Sequence, residues 1–523
     1  MVALLTFGCG DESGPSTISF PAAGPVAGEA GAGSFTFGAA TAAAQIEDQN
    51  DASDWFLWTQ PEAEGGLARG EFVGDAVRGF SLAVQDNELV SEMNLDAYRF
   101  NPSWSRIEPT RDTFDMAAIA HYGSVIDNLV ERGVKPMLTV HHFSSPVWAD
   151  DPRRPNADCP AGPQDTDLCG WSRPEGSAQL VEELAELAGE LARQYGDRVD
   201  EWCTLNEPVN YLLAAYGLDV FPPGRNLILS AGGFERLVDS FRAYIAAHAA
   251  MYDAIMANDT VDADGDGVAA HVGLTLSVAE WVPSRRGALS DAEVDVAAAD
   301  AVRYVYHYLF VDSILGGTFD ADLDGVGEET HADWEAKLDF LGVQYYFRGG
   351  VTGTPGLLPV VMATPCFGSF DLGSCVPPIG EDETKMVPSM GYEFWEPGIY
   401  RVLSDFGRRW PGLPMTVTES GIATNVGKRR AEHVVRSLEQ IWRAREEGVD
   451  VRGYYHWSLV DNFEWAEGYE PLFGLYRVDR SDYSRTATEG AQVLGAVAGS
   501  RELSASQRGE YGGLGPMTHE EEE

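Results

Sequence analysis

A chain of 523 residues with 44% hydrophobic content holds enough apolar material for a large core, and that length fits either two or three ordinary domains or a single α/β barrel. The net charge is −46 and only four of the 36 basic residues are Lys. This argues against nucleic acid, anionic lipid and acidic polysaccharide as partners, since long-range repulsion opposes their approach, whereas a neutral small molecule feels little of it. No apolar run reaches the roughly 18 residues that a membrane span requires. The acidic, Lys-poor composition fits a salty habitat or, equally, an Arg-rich bacterial protein with an acidic bias.

The N-terminal stretch MVALLTFGCGDESGPS sets a short apolar segment before Cys9 and leads into Gly, Ala, Pro and Ser up to Gly33. It has the look of a bacterial lipoprotein signal with its linker and a lipid anchor at Cys9, although a basic leading region is missing and Thr6 stands three residues before the cysteine. The alternatives are a truncated ordinary signal and a disordered leader. Residues 1–33 are therefore read as a signal remnant or flexible leader.

From Ser34 onwards, short β-branched or apolar runs alternate with long amphipathic ones. Strands are predicted to begin near Ser34, Leu95, Lys135, Val199, Ala269, Asp339, Pro414 and Arg452. Between them, Leu180, Leu184, Leu187, Leu191 and Tyr195 recur at helical spacing over Ser177–Tyr195, and Leu237, Phe241, Ile245, His248 and Tyr252 mark a second helix. His248 reads as a packed helix residue rather than a ligand. Eight strand-then-helix units over residues 34–499 predict an α/β fold, one closed (β/α)8 TIM barrel with long βα loops on its C-terminal face. Residues 500–523 read as a polar acidic tail.

Two segments that follow strands are long, His142 to Gly176 and Phe347 to about Tyr392. Each holds a cysteine pair in Pro-, Gly- and Asp-rich sequence, Cys159 with Cys169 and Cys366 with Cys375. The spacing predicts two local disulfides and an oxidising compartment, against the alternative of free surface thiols. Cys203 lies inside a predicted strand and reads as a buried apolar residue.

Polar groups gather at the strand ends: Gln45, Arg99, His141 and His142, Asn206 and Glu207, Tyr345 and Tyr346, Glu419, and Trp457. Any one of them has a bland explanation; the set converges on one mouth. A barrel that aims Glu207 and Glu419 across its mouth is arranged to cleave a glycosidic bond, one carboxyl protonating the leaving oxygen and the other attacking or activating water. An Arg and a Tyr nearby would keep one carboxylate ionised, while an apolar, Trp-lined setting would raise the pKa of the other.

The blocks FGAATAAAQIE (37–47), YRFNPSWSRIEP (98–109), TLNEP (204–208), VTESG (417–421) and GYYHWSLVDNFEWAEGYEPLFGLYRVD (453–479) resemble the signature blocks of glycoside hydrolase family 1, the β-glucosidase and β-galactosidase family. The resemblance runs from about Ser34 to Gly499. It implies that Glu207 is the acid/base and Glu419 the nucleophile of a retaining double displacement. It further implies that Arg99 and Tyr346 hold the nucleophile, that Asn206 binds the sugar 2-hydroxyl, and that Gln45, His142, Trp457, Glu464 and Trp465 line the glycone subsite. No cofactor is implied for catalysis. Departures from the family pattern fall at Gln344, at Ser420 with Gly421, at Ser144 and at Ser277, so fine aglycone preference is not carried over. Glu464, where relatives acting on 6-phosphorylated sugars typically lose the acid, points to unphosphorylated sugars.

The segments DADGDG and DADLDG place Asp262, Asp264, Asp266 and Asp320, Asp322, Asp324 in the Asp-x-Asp-x-Asp-Gly pattern that opens a calcium loop. The twelfth position of each holds Gly273 or His331 rather than Glu, and the alternative is an acidic turn. Both loops lead from a helix into a strand, on the face away from the mouth. The expectation is therefore a bacterial, extracytoplasmic enzyme that removes terminal β-glucosyl, or else β-galactosyl or β-fucosyl, residues from small glycosides or oligosaccharides. A transglycosylase on the same site and a catalytically silent sugar-binding barrel are the alternatives.

Overall fold

The computed structural model describes residues 15–48, 50–154, 159–354, 356, 362–365 and 382–520. Cys9, Cys366 and Cys375 lie outside the described residues, and with them the lipid anchor and the second disulfide.

Eight parallel strands close on themselves. They are β1 (Thr36–Ala40), β2 (Ala97–Phe100), β3 (Lys135–His141), β4 (Glu201–Asn206), β5 (His271–Arg285), β6 (Phe340–Thr352), β7 (Met415–Ser420) and β8 (Val451–Trp457). Each pairs with its neighbour in chain order, and β8 returns to β1 with Gly453 beside Thr36 and Trp457 beside Ala40. This is the predicted (β/α)8 barrel. The helices between strands include Pro174–Tyr195 and Gly233–Asn258, which bury the apolar stripes that predicted them. His248 is indeed packed, bonded to Thr204 Oγ1 at 2.6 Å and to the Lys337 carbonyl.

Two strands outrun the sequence reading. β5 extends to Arg285 and β6 to Thr352, and they stay paired beyond the barrel as far as Val351 beside Pro283. The residues after Tyr346 are therefore partly strand rather than loop. Their pairing raises a rigid two-stranded wall on the C-terminal face, where a single strand could not have satisfied its own backbone groups.

The described segments on either side of the barrel are docked. Residues 15–33, read from composition as a leader, pack against the fold: Ile18 and Ser19 pair with Leu503 and Glu502, and Val26 and Ala27 sit in the barrel floor with Ala97, Met137, Cys203, Phe340 and Tyr455. Small residues suit that place, because the floor of a closed barrel is narrow and admits little side-chain volume. Gly38 shows the same limit, since a Cβ there would stand 2.4 Å from the Tyr455 ring. Cys203 is fully buried and free, as expected. Residues beyond Ser500, read as a polar tail, form the helix Ala505–Tyr511 and a strap that ends at Glu520 against the opposite, C-terminal face. No described helix is long and apolar enough to cross a membrane.

Candidate active site

The strand ends deliver their polar residues to one place. Glu207 follows β4 in a left-handed conformation (φ 43°, ψ 62°), and Pro208 then opens the helix Pro208–Leu212 at its first position, where a missing N–H costs nothing. The turn presents the carboxyl to the mouth while the helix starts at once. Phe143 (φ 60°), just after His142, and Trp465 (φ 50°) share this unusual backbone. Non-glycine residues held there cost on the order of 1–3 kcal/mol each and concentrate at working sites.

Glu419 ends β7 in a cage of donors. Arg99 Nη1 donates to Oε1 at 2.5 Å, Gln344 Nε2 to the same oxygen at 2.7 Å, and the Tyr346 hydroxyl to Oε2 at 2.8 Å. Burial raises its pKa; Arg99 and Tyr346 oppose that rise. Tyr346 itself is pushed far up by burial and by the Glu419 charge, so it remains a donor. Asn206 is locked by three donors on Oδ1, from Arg99 (2.7 Å), Gln344 (2.8 Å) and Thr275 (3.0 Å), which leaves its own N–H groups facing away from them.

Glu207 has a different environment. It is 6% exposed and accepts one amide bond from Asn210 Nδ2 at 2.9 Å, while the same nitrogen reaches Ser277 Oγ at 3.0 Å. Burial, followed by the negative charge of Glu419, pushes its carboxyl up to about 8, against weaker lowering from Asn210, Arg99 and Ser277. Two carboxyls in one mouth are thus driven apart, which is how one site holds an acid and a carboxylate at the same pH.

The remaining predicted residues form the adjoining wall. Gln45 is fully buried; its Nε2 donates to Asn462, to the Phe463 carbonyl and to Glu464 at 2.9–3.2 Å, and its Oε1 has no protein partner. His142 lies within 5.9 Å of the Trp457 ring and 6.0 Å of the Trp465 ring, in near-parallel planes, and its Nδ1 is also without a partner. Burial, with Arg99 and His141 adding to it, keeps His142 neutral. Glu464 is raised well above its usual range by burial and by the charges of Glu467 and Glu419. Orphaned buried polar atoms on one concave wall mark a place where a polar ligand supplies the missing bonds.

Three contacts were not assigned from sequence. Gln344 was noted only as a departure, yet it touches both Glu419 and Asn206, because the register sets it beside Glu419 on one side and Ser277 on the other. Asn210, one helical turn past Glu207, carried no signal. Asp54 stands where Ser144 seemed to leave a gap: its carboxylate accepts from Ser144 Oγ at 3.0 Å and from the Ser145 N–H at 3.1 Å, and burial pushes it up to about 7. An acid from another element, Asp54, thus holds the start of the loop that follows His142.

Of the two proposed disulfides, Cys159–Cys169 is formed, with Cα atoms 5.9 Å apart in the loop after β3. The acidic loops lie between a helix and the next strand, as predicted. They differ in fit. In the first loop Asp264 meets the Lys135 ammonium at 2.8 Å and Asp266 meets His271 at 2.7 Å, and the carboxylate that comes within 4.8 Å of Asp262 and Asp264 is Asp200, from outside the loop. In the second, oxygens of Asp320, Asp322, Asp324 and also Glu328 all lie within 4.8 Å of one another.

A closed (β/α)8 barrel with two carboxyls in a dry, aromatic-walled mouth defines a glycosidase class. Residues 32–502 match the model of glycosyl hydrolase family 1. The chain is 30% identical to a β-galactosidase of Pyrococcus woesei over 82% of this chain and 87% of that protein, and 28% identical to β-glucosidase 6 of Oryza sativa subsp. japonica over 86% of each. The β-glycosidase from Pyrococcus horikoshii superimposes with a TM-score of 0.74 at 28% identity, covering 91% of this chain and 97% of that one. A rice β-glucosidase mutant in a covalent complex with Glc superimposes at 0.72 with 25% identity, covering 90% and 98%. The chain belongs to glycosyl hydrolase family 1. It is an O-glycosyl hydrolase of the retaining β-glycosidase class, whose catalysis needs no cofactor.

Proposed function

We propose that this β-glycosidase removes terminal, unphosphorylated β-D-glucosyl residues, with β-galactosyl or β-fucosyl as secondary glycones, using Glu419 as nucleophile and Glu207 as acid/base. One observation carries the assignment: Arg99, Gln344 and Tyr346 donate to Glu419, whereas Glu207 receives an amide and is raised to about 8. In the first step, protonated Glu207 gives its proton to the glycosidic oxygen as the Glu419 carboxylate bonds to the anomeric carbon and the aglycone leaves. Esterified Glu419 is neutral, so the charge that raised Glu207 disappears and Glu207, its proton gone with the aglycone, stays ionised. It then takes a proton from water, which attacks the same carbon, frees the sugar and restores both groups.

Gln45 Oε1 and His142 Nδ1 supply the unfilled polar positions for sugar hydroxyls, Asn206 turns its amide to the 2-hydroxyl, and the Trp457 and Trp465 rings cover apolar sugar faces. The negative surroundings that raise Glu464 would repel a 6-phosphate. Initial rates on nitrophenyl β-glucoside, β-galactoside, β-fucoside, β-mannoside and 6-phospho-β-glucoside test the reading. β-Glucoside should turn over fastest and the phosphorylated sugar not at all; a preference for the phosphosugar would overturn it. Transfer to an acceptor sugar in place of water uses the same intermediate and would appear as new glycosides at high substrate concentration.

The loop of Asp320, Asp322, Asp324 and Glu328 is proposed to hold a structural calcium ion that ties the start of β6 to the helix before it. Calorimetric titration with Ca2+ and a chelator-induced fall in Tm would check it. An extracytoplasmic location is proposed on the support of the Cys159–Cys169 bridge. Four reactive thiols in denatured, unreduced protein would correspond to this bridge alone, and two to a second one.

A further inference from the structure

The match to the family model ends at residue 502, yet the chain that follows crosses the molecule and grips the catalytic face. Arg436 donates to the carbonyls of Tyr511 (3.3 Å), Gly515 (2.6 Å) and Pro516 (2.9 Å), and Lys385, on the segment after β6, donates to the Leu514 carbonyl at 3.0 Å. Met517 is buried and its N–H reaches Thr384 Oγ1 at 2.8 Å. Thr518 is held by both oxygens of Glu432 at 2.8 Å. Glu520 finishes the strap: its carboxylate accepts the Asn425 N–H at 2.7 Å and the Thr424 hydroxyl at 2.8–2.9 Å, and lies 3.3 Å from Arg429.

Thr424 and Asn425 belong to the loop that leaves β7 just after Glu419. That loop has little freedom of its own. Gly421 lies so close to the Trp457 carbonyl that a Cβ would stand 1.9 Å from it, and the Thr424 N–H bonds to Leu472 O in the segment after β8. Glu520 is therefore the outer stop of a short, tightly packed run whose inner end is the reacting carboxylate. A group displaced by about 1 Å can cost a factor near 10² in rate, so a stop of this kind bears on turnover and not on folding alone.

We propose that the segment Gly513–Glu520 is an intramolecular clamp, and that Glu520 is a positioning residue acting on Glu419 through Thr424 and Asn425. The proposal rests on Glu419 being the nucleophile. Kinetics on nitrophenyl β-glucoside with the full-length chain test it. Glu520→Ala should lower kcat by about 10-fold while leaving KM within about two-fold, the signature of an interaction felt in the chemical step. Glu520→Gln, which keeps an oxygen for the Asn425 N–H, should recover most of the loss. Thr424→Val should lower kcat similarly, and the double variant Glu520→Ala/Thr424→Val should be little worse than either, since both remove one coupling. A chain ending at Gly512 should regain turnover when a synthetic peptide of residues 513–520 is added; should that chain not fold, the point variants carry the test. Wild-type kcat in Glu520→Ala, or a lowered Tm with kcat unchanged, would reduce the strap to a staple and overturn the proposal. A wild-type enzyme that turns over no glycoside would instead sink the functional reading beneath it.

Discussion

The two ends of the barrel surround their buried carboxyls differently. At the floor, Glu201 is fully buried beneath Val26 and Ala27, and one of its oxygens, Oε1, is met by the Lys135 ammonium at 3.1 Å and the Val26 N–H at 3.2 Å, while Oε2 has no protein partner. At the mouth, Glu419 is matched by Arg99, but Glu207 is left with an amide, and Gln45, His142 and Gln344 each keep a polar atom without a protein partner. The floor is closed to ligands. The mouth sets its unpaired polar atoms on a concave, aromatic-walled surface, where a substrate can make the missing bonds. One fold thus separates stability from chemistry along its axis.

Substitutions at the two ends should divide on the same line. The largest effect is expected for Glu419→Gln, a fall in kcat of about 10⁴- to 10⁶-fold on every glycoside, as for loss of a nucleophile acting within a unit; steady-state rates check it, and a loss below about 100-fold would move the nucleophile elsewhere. Glu207→Gln should cost about 10²- to 10⁴-fold, most on poor leaving groups. It should also erase the alkaline limb of the pH profile. The sign is set by the chemistry: Glu207 must carry a proton to act as acid, so kcat/KM should fall as pH rises through about 8. Gln344→Ala removes one donor from Glu419 and should lower kcat by about 10²-fold, with circular dichroism unchanged. At the floor, Val26→Ala should leave kcat within about two-fold but lower unfolding free energy by about 1–2 kcal/mol, the worth of two buried methyl groups and the space they leave. If Val26→Ala altered turnover as strongly as Gln344→Ala, the division between the two ends would fail.

Much of this was legible beforehand because it depends on period and order. Strand-helix alternation located all eight strands, and closure followed from their number. The residues at strand ends pointed to a shared mouth because a parallel barrel places every strand terminus of one sense on one face. Gln344 was harder. Its importance comes from sitting beside Glu419 and Ser277 in a register that no single strand displays. Asp54 and Ser144 are 90 residues apart, and nothing local in either segment announces the other. The Lys135 contact to Asp264 is likewise long-range. The packing of residues 15–33 and 501–520 was hidden for a related reason: composition records polarity and small size, which suit a flexible leader as well as a barrel floor, and a solvated tail as well as a strap held through its backbone carbonyls.

By itself, the sequence determined the barrel, its strand order, the glutamate pair and the family, since these follow from hydrophobic period and from short contiguous blocks. Only the tertiary structure decided which partner each carboxyl received, which carboxylates gathered in each acidic loop, and where residues 15–33 and 501–520 came to rest. Those outcomes depend on contacts between residues tens to hundreds of positions apart, brought together when the barrel closes.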